Sequence, residues 1–235
     1  MLGTGSATVT KCYNTCFMVR EDDDMLMVDA GGGNGILGQL QKAGVGIGEI
    51  HNLYVTHAHT DHILGVIWIV RMVMQKALAG KYCGVLNVYG HEKVVRVITE
   101  ICRMTLHKKY FALIGKAIVM HVLDDGDEFC VGGMRLKCFD ILSDKEKQYG
   151  FTLQFSDGER LVCMGDEPCN EATLGYARGA DWLMCEAFCL YADRDVFKPY
   201  EKYHSTALDA GRVAADTGVK NLIIYHTCLL YTSPS

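Results

Sequence analysis

Only three prolines occur in 235 residues, no tract is of low complexity, and no repeat or block of like charge stands out. Nothing therefore marks a linker or a disordered spacer, and one domain over residues 1–235 is expected. With 49% hydrophobic residues, the chain is long enough to bury a core of its own. A membrane span is excluded by the same reading. The apolar run at residues 63–70 stops at Arg71, well short of the roughly 18 to 20 residues a span requires. A net charge of −5 and a pI near 6.0 exclude polyanion binding through bulk positive charge, although a local basic patch is compatible with them. Cysteine is plentiful, with eleven, but no Cys-x-x-Cys pair and no secretory leader accompany it. Reduced thiols and a cytoplasmic setting are expected. Cys12 with Cys16 and Cys185 with Cys189 have three residues between partners and no flanking histidine, so they read as structural thiols.

What the chain does have is Thr56-His57-Ala58-His59-Thr60-Asp61-His62, four metal-competent side chains in six residues, behind the apolar run Leu53-Tyr54-Val55. Alternation on an extended backbone predicts His57, His59 and Asp61 on one side as the strand leaves its sheet. His62 breaks the alternation where a helix begins, with Thr60 or Asp61 placed to cap it. One catalytic zinc needs three protein ligands and a water, so this density implies two adjacent metals.

In chain order, strands are predicted at residues 16–19 and 25–28 about an acidic turn, followed by Asp29 and three glycines read as a loop that lets backbone approach the metal centre. A short helix is expected at 36–42, the motif-bearing strand at 51–56, and a long helix at 63–78. A strand at 86–89, an amphipathic helix at 92–105 and strands at 117–123, 134–139, 149–155 and 161–164 follow. Paired strands together with helical crossovers predict two mixed or antiparallel sheets with helices outside. Asp166 and His226 each follow an apolar strand, the place where open α/β sheets put their sites. His204-Ser205-Thr206 precedes a helix at 207–217 that Gly218 ends, and the strand behind it leads to His226. His204 therefore reads as a proton donor near the metals. His51, His91, His107 and His121 lack such context and read as structural or solvent-exposed.

These residues together, THAHTDH, the opening Leu2-Gly3-Thr4-Gly5-Ser6-Ala7, Gly165-Asp166, Glu186-Ala187, His204-Ser205-Thr206 and the strand ending at His226, resemble metallo-β-lactamase-fold hydrolases, most nearly the ribonuclease Z branch. The resemblance implies an αββα sandwich and two zinc ions. It assigns His57, His59 and Asp166 to one metal, and Asp61, His62, Asp166 and His226 to the other. It implies phosphodiester hydrolysis by a metal-activated hydroxide that Asp61 orients, with His204 protonating the leaving oxygen. Pairing as a homodimer is a further implication of the family.

Three departures from that pattern stand out. The family supplies one more histidine to the first metal, yet no histidine lies between His121 and His204, and Asp144 is the nearest candidate by spacing. A weak first site, or one tolerant of manganese, is expected. Only 15 residues separate Gly150 from Asp166, enough for a hairpin but not for the arm with which tRNA-processing members grip RNA. The third departure is the run Thr232-Ser233-Pro234-Ser235 shortly after His226, from which truncation is expected at the C-terminus, and the glycine-rich opening suggests the same of the first strand. An acyl hydrolase of the same fold and a non-hydrolytic, metal-depleted protein are the alternatives. The basic, aromatic stretch Lys198-Pro199-Tyr200-Glu201-Lys202-Tyr203 suits a nucleotide or an ordinary solvated loop.

Overall fold

Short runs of apolar and β-branched residues punctuated by glycine and aspartate give eleven strands among the described residues, 1–228 of the computed structural model. The run Thr232-Ser233-Pro234-Ser235, which carries the expectation of truncation, lies outside the described residues. Contacts cluster into two compact units, one of Met1–Gly3 with Cys12–Asp124, the other of Thr4–Lys11 with Asp125–Ser235.

The first unit holds β1 (Phe17–Glu21), β2 (Asp24–Val28), α1 (Gly35–Lys42), β3 (Asn52–Tyr54), α2 (Thr60–Leu78), β4 (Leu86–Gly90), α3 (Glu92–Thr105), α4 (Lys108–Phe111) and β5 (Ile118–Val122). The sheet order is β1-β2-β3-β4-β5. The β1–β2 pair is a tight antiparallel hairpin, and β2 through β5 are parallel neighbours. Parallel strands covered on their faces read as nearly unbroken apolar runs, as Met25-Leu26-Met27-Val28 does. Helix α2 buries Ile63, Val66, Ile69, Val70, Val73 and Met74, a stripe at helical spacing, and α3 buries Val94, Ile98 and Cys102 four apart. At Gly65 the helix meets the loop after β2 so closely that a Cβ would lie 1.8 Å from the Ala30 carbonyl oxygen. The Gly65 N–H donates to Gly31 O at 2.8 Å.

The second unit opens with an antiparallel meander of β6 (Glu128–Val131), β7 (Met134–Asp140), β8 (Tyr149–Gln154) and β9 (Arg160–Cys163). It continues through α5 (Leu174–Ala177), β10 (Trp182–Glu186), α6 (Arg194–Phe197), α7 (Ala207–Thr217) and β11 (Asn221–Tyr225). The order is β11-β10-β9-β8-β7-β6, with β9, β10 and β11 parallel. Along β7 the residues Met134, Leu136 and Cys138 are buried while Arg135 and Lys137 are exposed, the period of two expected of a half-covered sheet. A short turn joins β8 to β9, so the stretch between Gly150 and Asp166 is a hairpin. Thr206 caps α7 in a reciprocal box with Asp209, and Gly218, at φ +69°, ends it.

Both sheets are mixed, as the sequence predicts. Strands β6 and β10 are absent from the sequence reading. No helix of the described residues is long and apolar enough to cross a membrane.

Candidate functional site

In the first unit, Val28 of β2 pairs with Tyr54 of β3, so the two parallel strands deliver their next residues side by side. Asp29 turns there with a left-handed φ of +52° and donates its N–H to Tyr54 O at 2.8 Å. Its buried carboxylate accepts the Thr56 N–H on Oδ1 and the Thr56 hydroxyl on Oδ2, both at 2.8 Å, and Oδ2 lies 2.7 Å from His62 Nδ1. These contacts fix two tautomers. A carboxylate only accepts, so His62 Nδ1 carries the proton. The Thr56 hydroxyl spends its hydrogen on Asp29, so it accepts from His57 Nδ1–H across 2.9 Å. In its neutral form each of these histidines therefore turns the Nε2 lone pair the other way. Carboxylates that orient metal-binding histidines act in this manner.

His57 Nε2 lies 2.8 Å from His59 Nδ1, and His62 Nε2 lies 3.6 Å from Asp61 Oδ2. Two ligands of a tetrahedral zinc with bonds of about 2.1 Å stand about 3.4 Å apart. The His62–Asp61 pair stands near that spacing, whereas the His57–His59 pair is at hydrogen-bond distance and would open slightly around a cation; imidazole and carboxylate donors of this kind suit a divalent metal. One expectation is corrected. The strand ends at Tyr54 and the helix begins at Thr60, so Asp61 sits beside His62 in the first turn of α2 and is not on an extended continuation of β3. His59 is the capping residue in place of Thr60 or Asp61, and it makes no side-chain cap bond. The glycine loop packs against α2 and Tyr13, whose hydroxyl donates to Gly33 O at 2.7 Å.

In the second unit, three adjacent parallel strands present polar residues at their carboxyl ends. Asp166 comes three residues after β9, Glu186 closes β10, and His226 follows β11, with Glu186 paired to Tyr225 in register. The Asp166 N–H donates to Gln148 Oε1 at 3.2 Å, and Tyr225 donates its hydroxyl to Gly165 O. His226, left-handed at φ +57°, brings Nε2 to 3.4 Å from Asp166 Oδ2, again the separation of two ligands on one cation. Glu186 is wholly buried. Its Oε1 accepts the Ser205 N–H, its carbonyl accepts the Ser205 hydroxyl at 3.0 Å, and its Oε2 stands 3.5 Å from His204 Nδ1. His204 follows Tyr203, which is left-handed at φ +57°. Its ring stacks on Phe188 at 4.7 Å and 4°, and lies 5.2 Å from the His226 ring. Glu186, His204 and His226 each offer an atom within 4.8 Å of the others. A carboxylate on one imidazole nitrogen, with an aromatic face beneath, leaves the other nitrogen to give or take a proton.

Asp144 is exposed, and among the described residues no cluster of metal-competent side chains contains it. Its neighbour Ser143 donates to Glu167 Oε1 at 2.6 Å, and Lys145 Nζ stands 3.6 Å from the same oxygen. Leu142 is 63% exposed. The remaining histidines have structural partners or a cap position: His51 contacts Tyr82, the buried His91 stands at the N-cap of α3, His107 caps α4, and His121 stacks on Tyr89 and faces Asn87. In the basic stretch, Lys202 Nζ lies 5.2 Å over Phe188 and donates to Phe197 O, while Tyr200 and Tyr203 are exposed. Glu186 enters the sequence reading only as part of the resemblance, without a role, and Asp29 and Gln148 have no functional role there. The rule that found His226, a polar residue closing an apolar strand, also describes Asp29 after Met25-Leu26-Met27-Val28 and Glu186 after Leu183-Met184-Cys185.

Among known proteins, the ribonuclease Z of Prochlorococcus marinus subsp. pastoris is 24% identical over 285 residues, with 100% of this chain and 89% of the relative covered. The ribonuclease Z of Streptomyces avermitilis is 24% identical over 277 residues, covering 100% and 87%. Of solved structures, the short form of human tRNase Z is 21% identical with a TM-score of 0.78 over 99% of this chain and 93% of that one. The metallo-β-lactamase-fold protein YhfI from Bacillus subtilis is 19% identical with a TM-score of 0.77, covering 97% and 85%. The fold is therefore that of the metallo-β-lactamases, and the chain is ribonuclease Z-like, as the THAHTDH motif and its companions imply. A more specific family model, described as anti-Pycsar protein Apyc1, matches residues 1–200, and with that share of its length matched the chain belongs to the anti-Pycsar protein Apyc1 family.

Proposed function

We propose that this chain is a metal-dependent phosphodiesterase. His57, His59, Asp61, His62, Asp166 and His226 are the metal ligands of this reading, and Asp61 and His204 its catalytic residues. The observation that carries it is the Asp29-centred network, which protonates Nδ1 of His57 and of His62 and so gives each an Nε2 able to bind a cation. Divalent cations held there supply a lowered pKa for water and neutralise charge on phosphate oxygens. Asp61 orients the attacking water, and His204, backed by Glu186, delivers a proton to the leaving oxygen.

The ribonuclease Z relatives support a phosphodiester over an acyl substrate. The short β8–β9 hairpin and the net charge of −5 favour a small phosphodiester over a precursor tRNA. The exposed position of Asp144 supports a first metal site held by fewer protein donors, hence weaker for zinc.

The test has two arms. Zinc and manganese are counted per chain after purification without chelator, and hydrolysis of bis(p-nitrophenyl) phosphate is compared with that of uncharged esters, lactones and thioesters. Turnover of the phosphodiester, lost in Asp61→Ala and His204→Ala, is expected. Turnover confined to the uncharged substrates would establish an acyl hydrolase instead, and phosphodiester hydrolysis indifferent to Asp61→Ala would overturn the assignment.

A further inference from the structure

Two thiols of the second unit touch one another. Cys169 Sγ lies 3.5 Å from Cys185 Sγ, van der Waals contact for sulfur, although the residues are 16 apart in sequence. Both are free thiols. They differ in access, because Cys169 is partly exposed whereas Cys185 is 1% exposed within the core that includes Phe139, Ile141 and Val162. We propose that Cys169 and Cys185 form a peroxide-responsive dithiol, a modification site that closes to a disulfide and reopens with thiol reductant.

The chemistry balances without any group the protein lacks, apart from the peroxide itself. Hydrogen peroxide oxidises the accessible Cys169 thiol to a sulfenic acid and leaves as one water. The Cys185 sulfur then attacks the sulfenic sulfur, the S–O bond breaks as the S–S bond forms, and the sulfenic hydroxyl leaves with the Cys185 thiol proton as a second water. A disulfide needs its sulfurs at about 2.05 Å, so the pair must close by roughly 1.5 Å. Cys185 pairs with Ile224 of β11, and the residue before it, Met184, pairs with Cys163 of β9, so its strand is held on both sides. Cys169 belongs to the irregular segment between Asp166 and α5, held chiefly by the Asn170–Thr173 turn and by Asn170 Nδ2 on Ile141 O at 2.7 Å. The closing movement therefore falls on Cys169.

That placement gives the bond a consequence. Cys169 is three residues beyond Asp166, and Cys185 directly precedes Glu186. Closure draws the segment that carries a proposed metal ligand towards the strand that carries the carboxylate behind His204. Among the described residues, the exposed Cys83 and Cys130 have no such contact with a second sulfur and should stop at sulfenic or higher acids.

The experiment treats the full chain with graded hydrogen peroxide, blocks remaining thiols, and maps peptides by mass spectrometry. A peptide pair joined through Cys169 and Cys185, lighter by two hydrogens and restored by dithiothreitol, is expected. Cys169→Ser should abolish the crosslink, with native hydrogen-exchange protection of β10 unchanged to show that the fold survives. Irreversible acids on Cys169 without a crosslink, or a crosslink joining Cys185 to some other cysteine, would overturn the proposal. The effect on catalysis rests on the proposed phosphodiesterase reading: hydrolysis should fall at least tenfold in the crosslinked wild type and stay unchanged in peroxide-treated Cys169→Ser. Equal rates for crosslinked and reduced protein would overturn the link to the site. A reduced protein without hydrolysis would count against the phosphodiesterase reading alone, since the peptide map stands independently of it.

Discussion

Replacing Asp29 by Asn isolates what its negative charge does. The substitution conserves volume, and Asn tolerates the left-handed backbone that Asp29 adopts at φ +52°. The remaining amide oxygen can still accept the Thr56 N–H, but an NH2 group then faces the Thr56 hydroxyl and His62 Nδ1, both of which now donate to Asp29 Oδ2. The hydroxyl can rotate. His62 can accommodate the amide only by moving its proton from Nδ1 to Nε2, which removes the lone pair a metal would use. Loss of a carboxylate of this kind typically lowers metal affinity 10- to 100-fold, which is about 1.4 to 2.7 kcal/mol. The metal-free protein also loses charge-assisted hydrogen bonds in a buried place, at a cost of about 1 to 3 kcal/mol. Competition with a chromophoric chelator measures the first effect, and thermal melting in excess chelator measures the second. A variant that melts lower yet binds zinc within twofold of wild type would refute the tautomer argument and leave Asp29 a structural carboxylate only.

Two further substitutions test other parts of the fold. Gly65→Ala places a methyl 1.8 Å from the Ala30 carbonyl, so α2 or the loop after Asp29 must move; destabilisation of about 1 to 3 kcal/mol is expected by chemical denaturation, and a wild-type midpoint would show the approach to be looser than described. Asp209 closes the α7 capping box. Partial burial opposes its ionisation, but hydrogen bonds from Thr206 and Tyr200 outweigh this and hold its carboxyl below the usual 3.8. A lowered folded-state value gives stability that is present above the ordinary Asp range and fades as pH falls through the folded value. Asp209→Ala should therefore lose about 0.5 to 2 kcal/mol at pH 7, with the gap to wild type narrowing under acid; a gap constant from neutral to strongly acid pH would contradict the sign.

Sequence legibility followed the physics of each part. His57, His59, Asp61 and His62 were readable because metal-competent side chains rarely crowd so tightly behind an apolar strand. The face each occupies was less so, since alternation holds only while the backbone stays extended and α2 begins at Thr60. The helices α3 and α7 match their expected bounds because amphipathic spacing marks α3, while the Thr206–Asp209 capping box and Gly218 mark the two ends of α7. Strand β6 escaped notice because Glu128-Phe129-Cys130-Val131 offers only four residues, and its strand character comes from pairing with β7. Strand β10 lies between β9 and β11, where its neighbours supply the ladder, and its apolar run is only Leu183-Met184-Cys185. The roles of Asp29 and Glu186 stayed unread for a different reason: a carboxylate that ends a strand looks the same in sequence whether it turns the chain or holds a histidine.

The left-handed residues divide this chain into places where it can and cannot improve. For a residue bearing a side chain, that backbone region costs roughly 1 to 2 kcal/mol, with Asp and Asn the mildest cases. Glycine relieves it. Among the described residues, six without glycine adopt it: Asp22, Asp29, Leu142, Lys198, Tyr203 and His226. At Asp29 and His226, glycine would relax the chain and delete the very donor that the bend exists to aim, so a lineage drifting towards heat resistance is barred from that route there. At Asp22 and Lys198, in exposed or half-exposed turns apart from either cluster, the same exchange takes nothing from the chemistry. Thermostable relatives of this chain are expected to carry glycine at those turns while keeping Asp29 and His226 under strain.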